Sequence, residues 1–243
     1  MDYTPVKIVS VDMFQTLVDL EQRRHAIWRE ILDGRYTRER AEAAWQTGKE
    51  VLSEIFNAII AGEKTFIPMR GLFKQCFSII FERLGVAGDP DRAVDILRRQ
   101  HSLSRPFEDA PGFLDTIGRI VPICLTSDTD HPMLGSLKDI YPFDQVFISE
   151  EIRSYKVDPA GKLFNAVLGH YNLPARHIFH IGDAAADVYG AACAGMQTCW
   201  LNRNDSRWCY DFMPDFEVSG LVEAEELLRT LIDVSETGGL QRT

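Results

Sequence analysis

The chain has 243 residues, 45% of them hydrophobic and 26% charged, a balance that fits one large or two modest folded domains and excludes a disordered polypeptide. Its 26 Lys and Arg against 36 Asp and Glu give a formal charge of −10, which argues against nucleic acid as the main partner, since a phosphate backbone demands clustered cations. No apolar run approaches the roughly 20 residues that cross a bilayer, so no membrane partner is expected.

Residues 6–11 (VKIVSV) are a short run rich in β-branched side chains and predict a first strand buried on both faces. From 21 to 105 the pattern is helical throughout, with stretches at 23–32, 37–60, 71–84 and 91–101. Turn signals separate them at Asp33-Gly34, Ala61-Gly62, Ile67-Pro68 and Gly88-Asp89-Pro90. Strand patterns return at 121–125, 145–148, 178–181 and 197–201, with a weak last strand at 216–218. Helical patterns at 161–171, 187–194 and 223–232 are interleaved with them. This alternation predicts an α/β fold, a doubly wound parallel sheet of Rossmann-like type. Residues 1–20 and 106–243 are expected to form that core, and residues 21–105 a small all-helical subdomain inserted after the first strand. The tail 236–243, with its paired glycines, is expected to fray.

The N-terminal MDYTPVKIVSVD lacks the layout of a signal peptide, and the five cysteines contain no CxxC pair. They read as reduced thiols in a cytoplasmic protein, with spacing too loose for a zinc site.

In a doubly wound sheet, ligands gather at the carboxyl ends of the strands. Four polar segments stand there. Asp12 closes the first strand, where a carboxylate can act as a nucleophile and form an ester or acyl phosphate. Thr126-Ser127-Asp128-Thr129-Asp130 follows the 121–125 strand and offers hydroxyls and turn amides to an anion. Lys156 lies in a loop beyond the next strand, and an ammonium there offsets charge on a transferring group. Gly182-Asp183-Ala184-Ala185-Ala186-Asp187 joins a strand to a helix, with two carboxylates spaced to share a hard cation. Each segment alone reads equally as a cap, a turn or solvated surface. Their order and common placement give the set its weight.

Together these residues resemble the four motifs of the haloacid dehalogenase superfamily. Asp12, Phe14 and Thr16 stand at the three fixed positions of its DxDxT, and Ser127 stands at the second motif with Thr126 as the competing register. Lys156 stands at the third, preferred over Lys162, and Gly182, Asp183 and Asp187 match the GDxxxD fourth. The helical insertion is similar to the cap of the subclass that carries one after motif one. The resemblance implies that Asp12 attacks the substrate, while Thr16, Ser127 and Lys156 hold phosphoryl oxygens. It also implies Mg2+ bound by Asp12, the backbone carbonyl of Phe14 and Asp183, with Asp187 as a further ligand or a support behind one.

Two departures point in opposite directions. Phosphatases of the family carry at position 14 an Asp that protonates the leaving oxygen, which the Phe14 ring does not replace. Its dehalogenases carry an aromatic residue there, but their fourth motif has the form SSNxxD, whereas this chain keeps Asp183. A second carboxylate beside Asp12 without a cation would raise the nucleophile's pKa, so Asp183 argues for magnesium. The leading expectation is a magnesium-dependent phosphatase of a small phosphorylated metabolite. A metal-independent 2-haloacid dehalogenase is the alternative, and a catalytically weak binding protein of the same fold is a third. Gln15 replaces a frequent glycine, and Asp128 a frequent asparagine. In the cap, Arg23, Arg24, His25, Trp28 and Arg70 are candidates to contact an anionic or cyclic substrate.

Overall fold

Residues 4–232 are described by the computed structural model; the tail expected to fray lies outside them. β1 (Ile8–Val11) is buried at every position and has a parallel neighbour on each side. Burial on both faces is why this run is apolar or small throughout instead of alternating. β2 (Val18–Asp19) leads out of the sheet into four helices, α1 (Arg24–Leu32), α2 (Arg38–Ile60), α3 (Met69–Arg83) and α4 (Pro90–His101). The chain returns through β3 (Arg105–Pro106), antiparallel to β2, so outgoing and returning segments form a two-stranded neck.

The rest of the core is α5 (Ala110–Gly118), β4 (Ile123–Ser127), α6 (His131–Leu134), β5 (Val146–Ile148), α7 (Ser149–Ile152) and α8 (Lys162–Tyr171). Then come β6 (Ile178–Gly182), α9 (Ala185–Cys193), β7 (Gln197–Leu201), β8 (Phe216–Val218) and α10 (Leu221–Leu231). The sheet order is β5-β4-β1-β6-β7-β8, and every pair is parallel. Strand order therefore reverses at β1, which puts the ligand crevice beyond its carboxyl end. The register sets Val11 opposite both Leu125 and Ile181. The next residues along the three strands, Asp12, Thr126 and Gly182, thus stand side by side at this end of the sheet.

The four cap helices bury a cluster of their own that includes Trp28, Ile55, Leu72, Phe77 and Leu97. On α2 the buried Ala41, Ala44, Val51, Ile55 and Ile59 fall on one helical stripe. Thr37 caps that helix through Arg40 N, and Asp89 followed by Pro90 starts α4. The same cluster takes in Tyr155 and Val157 from the core, on either side of Lys156. Polar ties between cap and core include Arg98 to Asp130 at 2.7 Å, Met69 N donating to Glu150 at 2.8 Å, and Tyr155 Oη donating to Ile67 O at 2.5 Å. Among the described residues no helix is long and apolar enough to cross a membrane, and the five cysteines are free.

Candidate active site

Asp12 is only 5% exposed and receives two hydrogen bonds on one oxygen, Oδ1. Ser127 Oγ donates at 2.8 Å and Lys156 Nζ at 2.5 Å. Lys156 Nζ also donates to Asp187 Oδ1 at 2.5 Å. That oxygen lies 2.9 Å from His180 Nε2, and the ring's Nδ1 lies 2.8 Å from Ser10 Oγ. Ser10 donates in turn to Thr126 at 2.9 Å. Thr126 is thus turned into a buried network beneath the sheet's end, while Ser127 faces Asp12. Asp187 Oδ2 accepts from Ala184 N at 3.1 Å and closes the first turn of α9. The carboxylates of Asp12, Asp183 and Asp187 each offer an oxygen within 4.8 Å of the others.

Local backbone rules account for this convergence. A Cβ on Gly182 would lie 2.1 Å from Asp187 Cγ, so only glycine lets the carboxylate fold back over the strand end. A Cβ on Gly190 would lie 2.2 Å from the Lys156 carbonyl oxygen, so α9 touches the Lys156 loop through bare backbone. Lys156 N donates to both oxygens of Asp128, at 3.0 and 3.3 Å, which holds the loop from its other side. Gln15, where the family commonly has glycine, sits at φ +63°. That left-handed conformation costs about 1–2 kcal/mol for a residue with a Cβ. Its side chain accepts from Leu20 N at 2.6 Å and its own N donates to Val18 O at 2.6 Å, which offsets the strain.

Four carboxylates, of Asp12, Asp128, Asp183 and Asp187, surround a single ammonium. Burial alone would discharge Lys156, but Asp12, Asp187 and Asp128 outweigh it and hold the ammonium charged well above its ordinary range. Burial likewise opposes ionisation of Asp187, yet Lys156 and His180 keep its carboxyl well below the usual carboxylate range. The other three have too little compensation. Burial, only partly countered by Lys156, raises Asp12. Burial with the charges of Asp12 and Asp187 drives Asp183 well upward, and burial pushes Asp128 up to about 7. An oxygen-lined site with surplus negative charge fits a hard divalent cation. Asp187's oxygens are already engaged by Lys156, His180 and Ala184, whereas among the described residues no other residue hydrogen-bonds the Asp183 carboxylate.

The remaining sequence candidates lie elsewhere. Thr16 Oγ1 is fully buried without a partner among the described residues, Thr16 does not line the cleft, and its carbonyl accepts from Arg203 at 3.0 Å. Lys162 is exposed at the start of α8. Arg24 and His25 pair with Glu42, Arg23 binds Gln100, and Arg70 pairs with Asp91 and Asp95. Of the five cap candidates only Trp28 lines the cleft beside Asp183 and Phe14, a cavity of about 830 Å³. Reasoning from sequence missed His101, the last residue of α4, which lines the same cleft next to Phe14. It also missed His180, whose signal was a polar ring inside an otherwise apolar strand.

The sequence pattern of the haloacid dehalogenase-like hydrolases matches residues 6–195. Pyrimidine 5'-nucleotidase YjjG of Escherichia coli (strain K12) is 38% identical over 88 residues, 35% of this chain and 38% of that protein. YfnB of Bacillus subtilis (strain 168) is 30% identical over 109 residues, 43% and 46% of the two chains, so each match spans less than half of the relative's length. The fold of magnesium-bound YfnB superposes with a TM-score of 0.75 at 20% identity, covering 93% of this chain and 99% of that one. The L-2-haloacid dehalogenase of Xanthobacter autotrophicus superposes equally well, at 0.75 and 18% identity over 92% and 98%. A family pattern that spans most of the chain, on a capped parallel sheet of the same architecture, identifies this protein as a member of the haloacid dehalogenase-like hydrolases.

Proposed function

We propose that the protein is a magnesium-dependent phosphohydrolase of a small phosphomonoester, with Asp12 as the covalent nucleophile. The observation that carries this is the surplus of carboxylate at the strand ends, above all Asp183, which forms no ion pair among the described residues. The metal would be held by Asp12, Asp183 and the backbone carbonyl of Phe14, with Asp187 acting through Lys156 and His180. When bound, magnesium supplies countercharge for the phosphoryl oxygens and the two carboxylates.

The residues of the chain divide the remaining work. Lys156 and Ser127 hold Asp12 by Oδ1, which leaves Oδ2 free to attack phosphorus. As charge moves from Asp12 onto the phosphoryl group, the same ammonium and hydroxyl are within reach of its oxygens. Asp187 keeps Lys156 charged and aimed, a positioning role. Thr16 has no contact with substrate in this scheme, and its buried position supports the turn after the nucleophile.

The rival reading, a 2-haloacid dehalogenase, draws on Phe14, because a departing halide needs no acid. Against it stands the cleft, where among the described residues Lys49 is the one lysine or arginine in the lining and is paired with Glu21 rather than free for a haloacid's carboxylate. The test is a panel of phosphomonoesters assayed for phosphate release with magnesium and with EDTA, alongside chloride release from 2-chloropropionate. The reading requires metal-dependent phosphate release that Asp12→Asn abolishes, with a phosphorylated Asp12 peptide in acid-quenched enzyme. EDTA-insensitive chloride release with no phosphatase activity would replace it by the dehalogenase.

A further inference from the structure

The cleft extends under the cap far beyond the carboxylates, and its volume of about 830 Å³ falls within the range of small-molecule sites, roughly 300–1,000 Å³. Its cap wall is aromatic and aliphatic, built from Trp28, Trp45, Leu52, Phe56, Phe73 and Phe77. Such a wall favours a flat apolar guest, which stacks or packs edge-on against the rings. Two side chains add polarity within it. Trp28 Nε1 and both ring nitrogens of His101 are buried without hydrogen-bond partners among the described residues, and the two side chains belong to residues 3% and 4% exposed. Unpaired buried donors and acceptors are costly, so a guest that supplies partners is favoured over a plain hydrocarbon.

Charge narrows the choice. The ionisable side chains lining the cleft besides His101, Tyr189, Tyr210 and the two cysteines are Glu21, Asp128, Asp183 and Asp211 against Lys49, whose ammonium is held by Glu21 at 3.0 Å. A second anionic group on the substrate would meet a negative wall. The leaving group is narrowed independently, by Phe14. With no carboxyl at that position the departing oxygen receives no proton from it, and departure as an anion demands a weakly basic oxygen. A phenol ionises near about 10, far below an aliphatic alcohol.

We propose that the substrate is the phosphomonoester of an uncharged aromatic alcohol, its ring seated in the cap limb against Trp28 and His101. This rests on the phosphohydrolase reading above. Asp12 Oδ2 forms the bond to phosphorus while the phosphorus–aryloxide bond breaks, and the aryloxide leaves with the electron pair and takes a proton from water. A water molecule then attacks the aspartyl phosphate, releasing inorganic phosphate and a proton and restoring the Asp12 carboxylate.

The experiment compares kcat/KM of the intact protein with magnesium for 1-naphthyl, phenyl, benzyl, 4-carboxyphenyl and glycerol phosphates. The expected order is naphthyl above phenyl, phenyl well above benzyl and 4-carboxyphenyl, and glycerol phosphate last by at least about a hundredfold. Benzyl phosphate isolates the leaving group, since it keeps the ring and loses the aryloxide. Leu52→Glu, at a half-buried wall position, should lower the ratio of naphthyl to glycerol phosphate turnover at least about tenfold; if that variant does not fold, inhibition of the wild type by 1-naphthol and not by glycerol is the replacement readout. Glycerol phosphate hydrolysed as well as naphthyl phosphate would overturn the inference and leave the phosphohydrolase standing. No phosphate release from any ester would overturn the phosphohydrolase itself.

Discussion

The rings of Phe14 and His101 meet with centroids 5.7 Å apart and planes tilted by 36°. One comes from the loop after Asp12 and the other from the last residue of the cap's fourth helix. At the position where the family's phosphatases carry a carboxyl, this protein packs a phenyl ring on an imidazole from the cap. The contact joins cap to core in the wall of the cleft.

Replacing that phenyl group tests the exchange directly. In Phe14→Asp the new carboxyl stands beside Asp12 and can donate to a leaving oxygen, help worth typically 10²–10⁴-fold. With His101 still adjacent, a gain of about 10- to 100-fold is expected for an alkyl ester such as benzyl phosphate, and less for phenyl phosphate. Steady-state kinetics on the two esters measure the difference. A folded, magnesium-binding variant that is slower on both would show that Phe14 does not stand in for the missing acid.

His101 carries a separate cost. Burial lowers its imidazole to about 3, from an unfolded value near 6.5. As pH falls below about 6.5 the unfolded chain takes up a proton that the folded protein refuses, so stability declines through that window. At pH 5 the penalty is about 2 kcal/mol, since each pKa unit corresponds to about 1.4 kcal/mol. His101→Leu has no such proton to refuse. Urea titrations at pH 7.5 and pH 5 should show the wild type losing about 2 kcal/mol more than the variant.

The carboxylates act in the opposite direction. Asp128 is raised to about 7, and Asp183 and Asp12 are raised as well, so the folded protein holds protons that the unfolded chain has released. Stability from these groups is therefore lost as pH rises, and between pH 6.5 and 8.5 His101 opposes that trend by only about 0.4 kcal/mol, as the unfolded imidazole sheds its remaining half proton. The metal-free protein should melt at a lower temperature at pH 8.5 than at pH 6.5. Magnesium should restore more at pH 8.5 than at pH 6.5, because it binds the ionised form. Asp183→Asn should raise the metal-free melting temperature at pH 8.5 and remove the response to magnesium. A wild type whose melting temperature ignores magnesium at both pH values would count against the metal site.

Most of the fold can be read from periodicity, because buried parallel strands leave uninterrupted apolar runs. The second core strand shows where that signal ends. Apolarity stops at Leu125, so residues 121–125 read as the strand, yet β4 runs Ile123–Ser127 because Thr126 and Ser127 pair with Phe147 and Ile148 and find partners in Ser10 and Asp12. Polar strand residues satisfied by distant side chains look like loop from sequence. Helix α5 buries Ala110, Phe113, Leu114 and Ile117 at helical spacing, but it is only nine residues long and opens on Pro111-Gly112. The cluster of Asp12, Ser127, Lys156 and Asp187 was legible because strand ends share one edge by topology. His101 was not, since its place beside Phe14 depends on how the cap closes, which no local pattern encodes.

Gly190 allows the packing that aims Lys156 to be tested apart from the chemistry. In Gly190→Ala the added Cβ would fall 2.2 Å from the Lys156 carbonyl oxygen and 2.6 Å from the Phe164 ring, and neither backbone nor packed ring yields cheaply. Overpacking of this kind costs typically 1–3 kcal/mol. Because the strain falls on the Lys156 backbone, kcat should drop more than tenfold while the fold persists. Gly112→Ala is the control, since its Cβ would meet nothing within 4 Å and the helical site favours alanine by up to about 0.5–1 kcal/mol. It should melt no lower than the wild type and keep its turnover. If Gly190→Ala matches that control in both melting temperature and kcat, the close approach of α9 is not what holds Lys156 in place.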